Sequence, residues 1–336
     1  MTNPLVSVVI PAYNAEKTIK ATIESVLNQN YTSIELIVID DGSTDKTANM
    51  VWRMRSQCNQ HRVKLHLIAQ QNAGVSQARN RGVQEAQGEF IAFLDADDQW
   101  LDTKLSNHVE HLQQSPNVGL SYAKVNFLTT NGALRTSSKL LSRSLVPEDC
   151  LSDNPTVSPS NWVIKKSVFQ QLNGFDETMT HAEDQEFLIR LMRETHLQIN
   201  GIEQVLMNYA TSQAGLSADI ESMYVGWQSL MESMKGGDNV IRNYASHHMN
   251  YCMFLAKRTV HIAHHFSLGF KYFFKAMRAD PVQMLFKPKQ TISIFIGLIY
   301  GSSIAFLSAS RGTVQHYLNK KMHKKSQSNI KEVNNV

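Results

Sequence analysis

The chain has 336 residues, 42% hydrophobic and 18% charged, which is enough apolar material for a sizeable core in one large or two ordinary domains. The net charge of only +4 makes no demand for nucleic acid, and none is expected as a partner. Cys58, Cys150 and Cys252 lie far apart with no C-x-x-C pair, which excludes a disulfide framework and gives no sign of zinc.

Leu5 to Ile10 is apolar and β-branched and stops at Pro11. That predicts a buried, parallel, central strand with Pro11, Ala12, Tyr13 and Asn14 turning at its carboxyl end. Ile19, Ile23, Val26 and Leu27 then recur at helical spacing through Gln29. A second strand, Glu35 to Ile39, ends in Asp40-Asp41-Gly42-Ser43-Thr44-Asp45. Gly42 allows a tight turn, and Ser43 or Thr44 can cap the helix that follows. A third strand, Val63 to Ala69, precedes a helix from Val75 to Glu85 that carries Arg79 and Arg81. A fourth runs from Phe90 into Leu94. The β-α-β-α-β-α-β order is that of a doubly wound α/β domain, whose ligands bind at the carboxyl edge of the sheet. Neither G-x-G-x-x-G nor G-x-x-x-x-G-K-[ST] occurs, so a nucleotide held here would be gripped through a metal and basic side chains.

Further on, a helix from Thr103 to Gln114 and a strand from Val118 to Leu128 are expected. Thr129 to Pro159 is polar with weak periodicity, a length that marks functional or mobile segments. A short helix, Lys166 to Leu172, and a turn, Gly174 to Glu177, precede a helix opened by His181-Ala182-Glu183-Asp184-Gln185-Glu186. Carboxylates in a first turn complement the helix dipole, so ordinary helix-start chemistry is one reading of Glu183 and Asp184. From Asp219 the strands give way to helical segments that run to about Met277.

The strand from Phe90 ends in Asp95, Asp97 and Asp98, three carboxylates within four residues. Buried together, they need a neutralising partner, and the usual one is a hard divalent cation with oxygen ligands, Mg²⁺ or Mn²⁺. A solvated acidic loop is the plainer reading.

Five segments appear in a fixed order: Val8 to Asn14, Val38 to Asp45, Ala78 to Gly82, Leu94 to Asp98, and Glu183-Asp184. Over roughly residues 5 to 210 this resembles the family 2 glycosyltransferases of GT-A fold. The resemblance implies a domain over 1–215 with a mixed central sheet, followed by a helical region over 216–336. Its first half, to about residue 100, would hold the nucleotide, and its second the acceptor. Pro11, Tyr13 and Asp41 would line the nucleobase pocket, with Asp40 beside them. Arg79 would face the nucleotide, and Asp95 would bind the ribose or the sugar. Asp97 would bind Mn²⁺ or Mg²⁺ with Asp98 assisting, and Asp184 would be the general base. Glu183 would contact the acceptor or hold Asp184 in place. Trp162 and Asp176 fall where family members meet the acceptor, although a core position explains the first equally and a turn the second.

By the same resemblance the reaction inverts the anomeric centre. No Gln-x-x-Arg-Trp follows the base motif, where Phe187-Leu188-Ile189-Arg190 stands instead. The expectation is a non-processive enzyme that adds one sugar, from a UDP-sugar, to a lipid-linked or oligosaccharide acceptor of a bacterial surface polysaccharide. Two other classes are weighed. A non-catalytic nucleotide- or glycan-binding homologue, serving as a membrane assembly subunit, has no need of Asp41, Asp95, Asp97 and Asp184 together. A nucleotidyltransferase would carry a glycine-rich basic loop where Pro11 to Asn14 stands.

The N-terminus has no basic stretch followed by an apolar one, so a cytoplasmic location is expected. Thr291 to Ala309 carries no charge, and Lys287, Lys289 and Arg311 flank it closely. An interfacial or re-entrant helix, a true span and a buried core helix all fit that stretch. With the basic tail from Arg311 to Lys331 it suggests peripheral attachment to the inner face of the cell membrane.

Overall fold

Four parallel strands build the first half of the sheet: β1 (Val6–Ala12), β2 (Ile34–Asp40), β3 (Lys64–Ala69) and β4 (Phe90–Phe93). The computed structural model describes residues 3–129, 132–210, 218–234, 243–260 and 265–301. Helices α1 (Ile19–Leu27), α2 (Thr47–Gln60) and α3 (Val75–Glu85) connect the strands. All seven residues of β1 and of β2 are buried, which is why both read as continuous apolar runs rather than as alternation. Alternate side chains still go to opposite faces. Val8, Ile10, Leu36 and Val38 join a core with α1, α2 and, further on, α4 (Lys104–Gln114). On the other face Val9 lies under α3, and Phe93 meets Phe169 and Phe175.

The second half is mixed. β5 (Gln99–Trp100) precedes α4, followed by β6 (Val118–Leu128), β7 (Leu134–Ser137), β8 (Val163–Lys165), α5 (Lys166–Gln171), α6 (Glu183–Glu194), β9 (Gln198–Ala210) and α7 (Ile220–Ser233). Among the described residues the sheet runs β3-β2-β1-β4-β8-β6-β9-β5, with β7 on β6. β8 is antiparallel to both β4 and β6 and joins the two halves.

The chain divides into two compact units, Met1–His247 and His248–Val336. The second holds most of α8 (Tyr244–Arg258), then α9 (Phe266–Ala279), α10 (Pro281–Phe286) and a helical stretch over 288–301. Asp280 caps α10 by accepting the Gln283 N–H at 3.0 Å, with Pro281 in the first turn. No helix among the described residues is long and apolar enough to cross a membrane. Residues 302–309 of the apolar segment and the basic tail lie outside the described residues.

Local expectations change in places: β1 runs on through Pro11 and Ala12, expected in the turn, which pair with Ile39 and Asp40. Neither Ser43 nor Thr44 caps α2: the Asp45 carboxylate accepts the Thr47 N–H at 2.8 Å, while Ser43 Oγ accepts the Asn14 N–H and Thr44 Oγ1 donates to Asn14 Oδ1 at 3.3 Å. β9, thirteen residues long, was not evident from the sequence.

Candidate active site

Three strand ends share one edge of the sheet. Ala12 pairs with Asp40 and Val9 with Phe93, which places Pro11 to Tyr13, Asp40-Asp41 and Asp95 to Asp98 along that edge. The ends of β1 and β2 are laced together. Asn14 N–H donates to Ser43 Oγ at 3.0 Å, and Thr44 N–H donates to Asn14 Oδ1 at 2.8 Å. Beside buried Pro11, the Tyr13 side chain stays 53% exposed and offers an aromatic face.

Asp40 and Asp41 are buried. Asp40 accepts the Ser43 N–H at 3.0 Å. One oxygen of Asp41 accepts Gln70 Nε2 at 2.8 Å and the Ala73 N–H at 2.9 Å, and the other accepts the Gly74 N–H at 2.9 Å. Asp41 thus ties the segment after β3 to the end of β2. Gly42, at φ +76°, permits this closeness, since a Cβ there would stand 2.8 Å from the Asn72 nitrogen.

Asp95 and Asp97 are half-buried and Asp98 is buried. Burial and the Asp95 charge push the Asp97 carboxyl up to about 6. Burial, then Asp97 and Asp95, hold Asp98 well above the ordinary carboxylate range. Asp98 Oδ1 accepts the Ala210 N–H at 3.0 Å, while its buried Oδ2 has no hydrogen-bond partner. Crowded oxygen donors with a spare buried oxygen fit a hard divalent cation. Among the described residues no three His, Cys, Asp or Glu side chains gather to hold one. Asp97 and Asp98 would therefore supply part of a shell, as in Mg²⁺ sites completed by substrate phosphates and water.

α6 begins after Ala182, whose φ is +62°. Glu183 is buried and Asp184 half-buried. Arg79, 3% exposed on α3, donates through Nη1 to Glu183 at 3.0 Å and through Nη2 to Asp95 at 2.6 Å. Its guanidinium lies 5.5 Å from the Phe175 ring centre, and its buried Nε has no hydrogen-bond partner. The reach is set one turn later. A Cβ on Gly82 would stand 2.3 Å from Val9 Cγ1, so α3 lies directly on β1. Burial and the Asp184 charge push Glu183 up to about 7 against the pull of Arg79. Burial also raises Asp184, opposed by hydrogen bonds from Asn154 and the Gln185 N–H and by Arg79.

Asp176 sits half-buried in its turn and accepts the Thr178 N–H at 2.8 Å and hydroxyl at 2.7 Å. Trp162 is fully buried in one cluster with Phe175 and Phe187, whose rings lie 5.9 and 5.8 Å from it and 5.1 Å from each other. The sequence alone points to no role for three residues of the site. Asn80 donates to the Phe175 carbonyl and to Glu177, both at 2.9 Å, and latches that turn to α3. Ser160 Oγ accepts the Asp95 N–H at 3.0 Å, and Asn154 Nδ2 donates to Asp184 at 2.6 Å. Asn80 stands inside the Ala78 to Gly82 motif, so a signal for it existed; Asn154 and Ser160 lie in or beside a polar stretch that offered none.

The profile of the family described as Glycosyl transferase family 2 matches residues 7–172. The UDP-Glc:alpha-D-GlcNAc-diphosphoundecaprenol beta-1,3-glucosyltransferase WfgD of Escherichia coli is 30% identical over 219 residues, 65% of this chain and 82% of that protein. The chain belongs to glycosyl transferase family 2. This family 2 glycosyltransferase is an enzyme, and its fold is GT-A. The mannosyltransferase PcManGT of Pyrobaculum calidifontis, solved with GDP-Man and Mn²⁺, superposes with a TM-score of 0.59 at 19% identity, covering 90% of this chain and 87% of that one. TarS 1-349 of S. aureus, solved with UDP-GlcNAc, gives 0.56 at 17% identity over 90% and 92% of the two chains.

Proposed function

We propose that this glycosyltransferase moves one sugar from a UDP-sugar to a hydroxyl of a lipid-linked acceptor, with inversion, in building a bacterial surface glycan. The observation that carries the reading is the double grip of Arg79, which holds Asp95 at 2.6 Å and Glu183 at 3.0 Å. It brings Asp95 and the Glu183-Asp184 pair to one place. Tyr13 and Pro11 would take the nucleobase, with Asp40 and Asp41 shaping the pocket. Asp95 would meet the ribose or the sugar. Asp97, with Asp98, would hold Mn²⁺ or Mg²⁺, and when bound such an ion stabilises charge building on a departing diphosphate. Asp184 would take the proton of the attacking hydroxyl. One displacement assisted by one base inverts the sugar carbon. WfgD supports the choice of donor and acceptor, since its name pairs UDP-Glc with a GlcNAc-diphospholipid.

Acceptors of that kind sit in a membrane, and the second unit has a surface suited to one. Leu285 is 78% and Phe286 80% exposed, and Val282, Ile292, Ile296, Ile299 and Tyr300 are exposed too. Lys287 and Lys289 lie between, so an anionic lipid surface suits this face. The proposed attachment is peripheral and cytoplasmic.

The test is transfer from UDP-glucose to α-D-GlcNAc-diphosphoundecaprenol, with Mn²⁺, Mg²⁺ or EDTA, and NMR of the product's anomeric proton. A β-linked product formed only with metal supports the reading. An α-linked product, or equal turnover in EDTA, counts against it.

A further inference from the structure

Asn154 lies thirty residues before Asp184, yet its side-chain amide donates to Asp184 Oδ2 at 2.6 Å. We propose that Asn154 is a positioning residue for the base, locked in its working orientation by Thr156 and Trp162. The proposal rests on Asp184 being the base.

The lock follows from what each group can do. An indole N–H only donates, and a carboxamide oxygen only accepts. Trp162 Nε1 donates to Thr156 Oγ1 at 2.7 Å. The threonine hydroxyl therefore sends its own proton on, to Asn154 Oδ1 at 2.7 Å. The Thr156 N–H donates to the same oxygen at 2.8 Å. With two donors on Oδ1, the amide nitrogen must face the carboxylate. A flipped amide would set NH₂ against two donors and oxygen against oxygen.

The chain of bonds is anchored in the core. Trp162 and Thr156 have no exposed surface, and Trp162 stacks on Phe175 and Phe187 with ring centres 5.9 and 5.8 Å away. Val157, next in sequence, has φ +75°, a conformation that β-branched residues rarely adopt. Its N–H donates to the Asn154 carbonyl at 3.1 Å and closes the turn. Ala182, two residues before Asp184, is also left-handed, at φ +62°. Strained backbone on both sides of the Asn154–Asp184 bond is the pattern of an over-determined functional geometry.

Asp184 Oδ1 accepts the Gln185 N–H at 2.8 Å. Each carboxylate oxygen thus has one fixed donor and keeps capacity for the incoming hydroxyl proton. Among the described residues, Arg79, Glu183 and the Cys150 thiol interact electrostatically with Asp184. The Asn154 bond adds to Arg79 in favouring the ionised form.

The test uses the full-length protein labelled with ¹³C at aspartate carboxyls, with the Asp184 signal identified by its loss in Asp184→Asn. Removing one donor from a carboxylate in Asn154→Ala should raise its titration midpoint by about one pH unit. Thr156→Val and Trp162→Phe should shift it the same way by less, and Thr156→Ser should restore the wild-type value. With UDP-glucose and α-D-GlcNAc-diphosphoundecaprenol, Asn154→Ala should lower kcat roughly tenfold while KM for UDP-glucose stays put, and the acid limb of the pH profile should move upward. An unmoved Asp184 titration in Asn154→Ala overturns the proposal. If that variant does not fold, unmoved titrations in Thr156→Val and Trp162→Phe overturn it equally. A wild type that fails to turn over this pair defeats the substrate reading, and turnover retained by Asp184→Asn defeats the base assignment. The titrations judge the positioning of Asp184 in either event.

Discussion

Arg79 and Glu183, 104 residues apart in sequence, meet at 3.0 Å with their side chains 4% and 11% exposed. The same guanidinium holds Asp95, so a single cation serves two carboxylates from different parts of the fold. Removing one partner of a buried pair strands the other charges without compensation. Arg79→Met should therefore cost about 3–5 kcal/mol in chemical denaturation. A loss of only a few tenths would mean that water already screens the triad.

Glu183 sets a pH dependence whose sign can be worked out. Its folded value, about 7, lies above the ordinary glutamate value of roughly 4.3, because burial and Asp184 outweigh Arg79. Between those values the unfolded chain releases the proton and the folded chain keeps it. Stability should therefore fall as pH rises through this window, by at most about 1.4 kcal/mol per pH unit, and level off above it. Glu183→Gln should lack this slope. The check is denaturant unfolding of both proteins from below pH 5 to pH 8. A wild-type curve that stays parallel to the variant's would show that Glu183 keeps its ordinary value in the fold.

Gly82 tests the contact that sets the reach of Arg79. Gly82→Ala places a methyl group 2.3 Å from Val9 Cγ1 and should destabilise by about 1–3 kcal/mol despite alanine's better helix propensity. In the double variant with Val9→Ala the clash disappears, so the two single losses should exceed the double by about 1 kcal/mol. Simple additivity would place the strain elsewhere.

Much of this was legible in the sequence, for identifiable reasons. β1, β2 and β4 are buried on both faces and read as apolar runs, and their polar ends announced the ligand edge. α3 was predicted with its observed ends. β9 was hidden because few of its residues are fully buried, among them Ile199, Leu206 and Met207. Its pairing with β6 also slips register between Val118 and Leu120 and again around Lys124, which breaks the period of two. Asp97 and Asp184 stood in readable motifs. Asn154 did not, because a polar residue in a polar segment gains meaning only when folding sets it against a carboxylate thirty positions away.

The exposed apolar face of the second unit makes its own prediction. Replacing Leu285 and Phe286 together by glutamate removes two large exposed side chains and adds two charges. Binding to phosphatidylglycerol vesicles should drop at least about tenfold, since each such side chain contributes roughly 1.5–3 kcal/mol when buried. Co-sedimentation measures it, and unchanged binding would discard this face as the membrane contact.

The most direct test sets Asp184→Asn beside the wild type and measures two quantities on each. Turnover of UDP-glucose with α-D-GlcNAc-diphosphoundecaprenol should fall at least about 100-fold, the scale of a lost general base. The Kd for UDP in the presence of Mn²⁺ should stay within about threefold, because Asp184 is assigned to the acceptor rather than to the nucleotide. Turnover close to wild type, or a loss of UDP affinity that matches the loss of turnover, would contradict the assignment of Asp184 as the base.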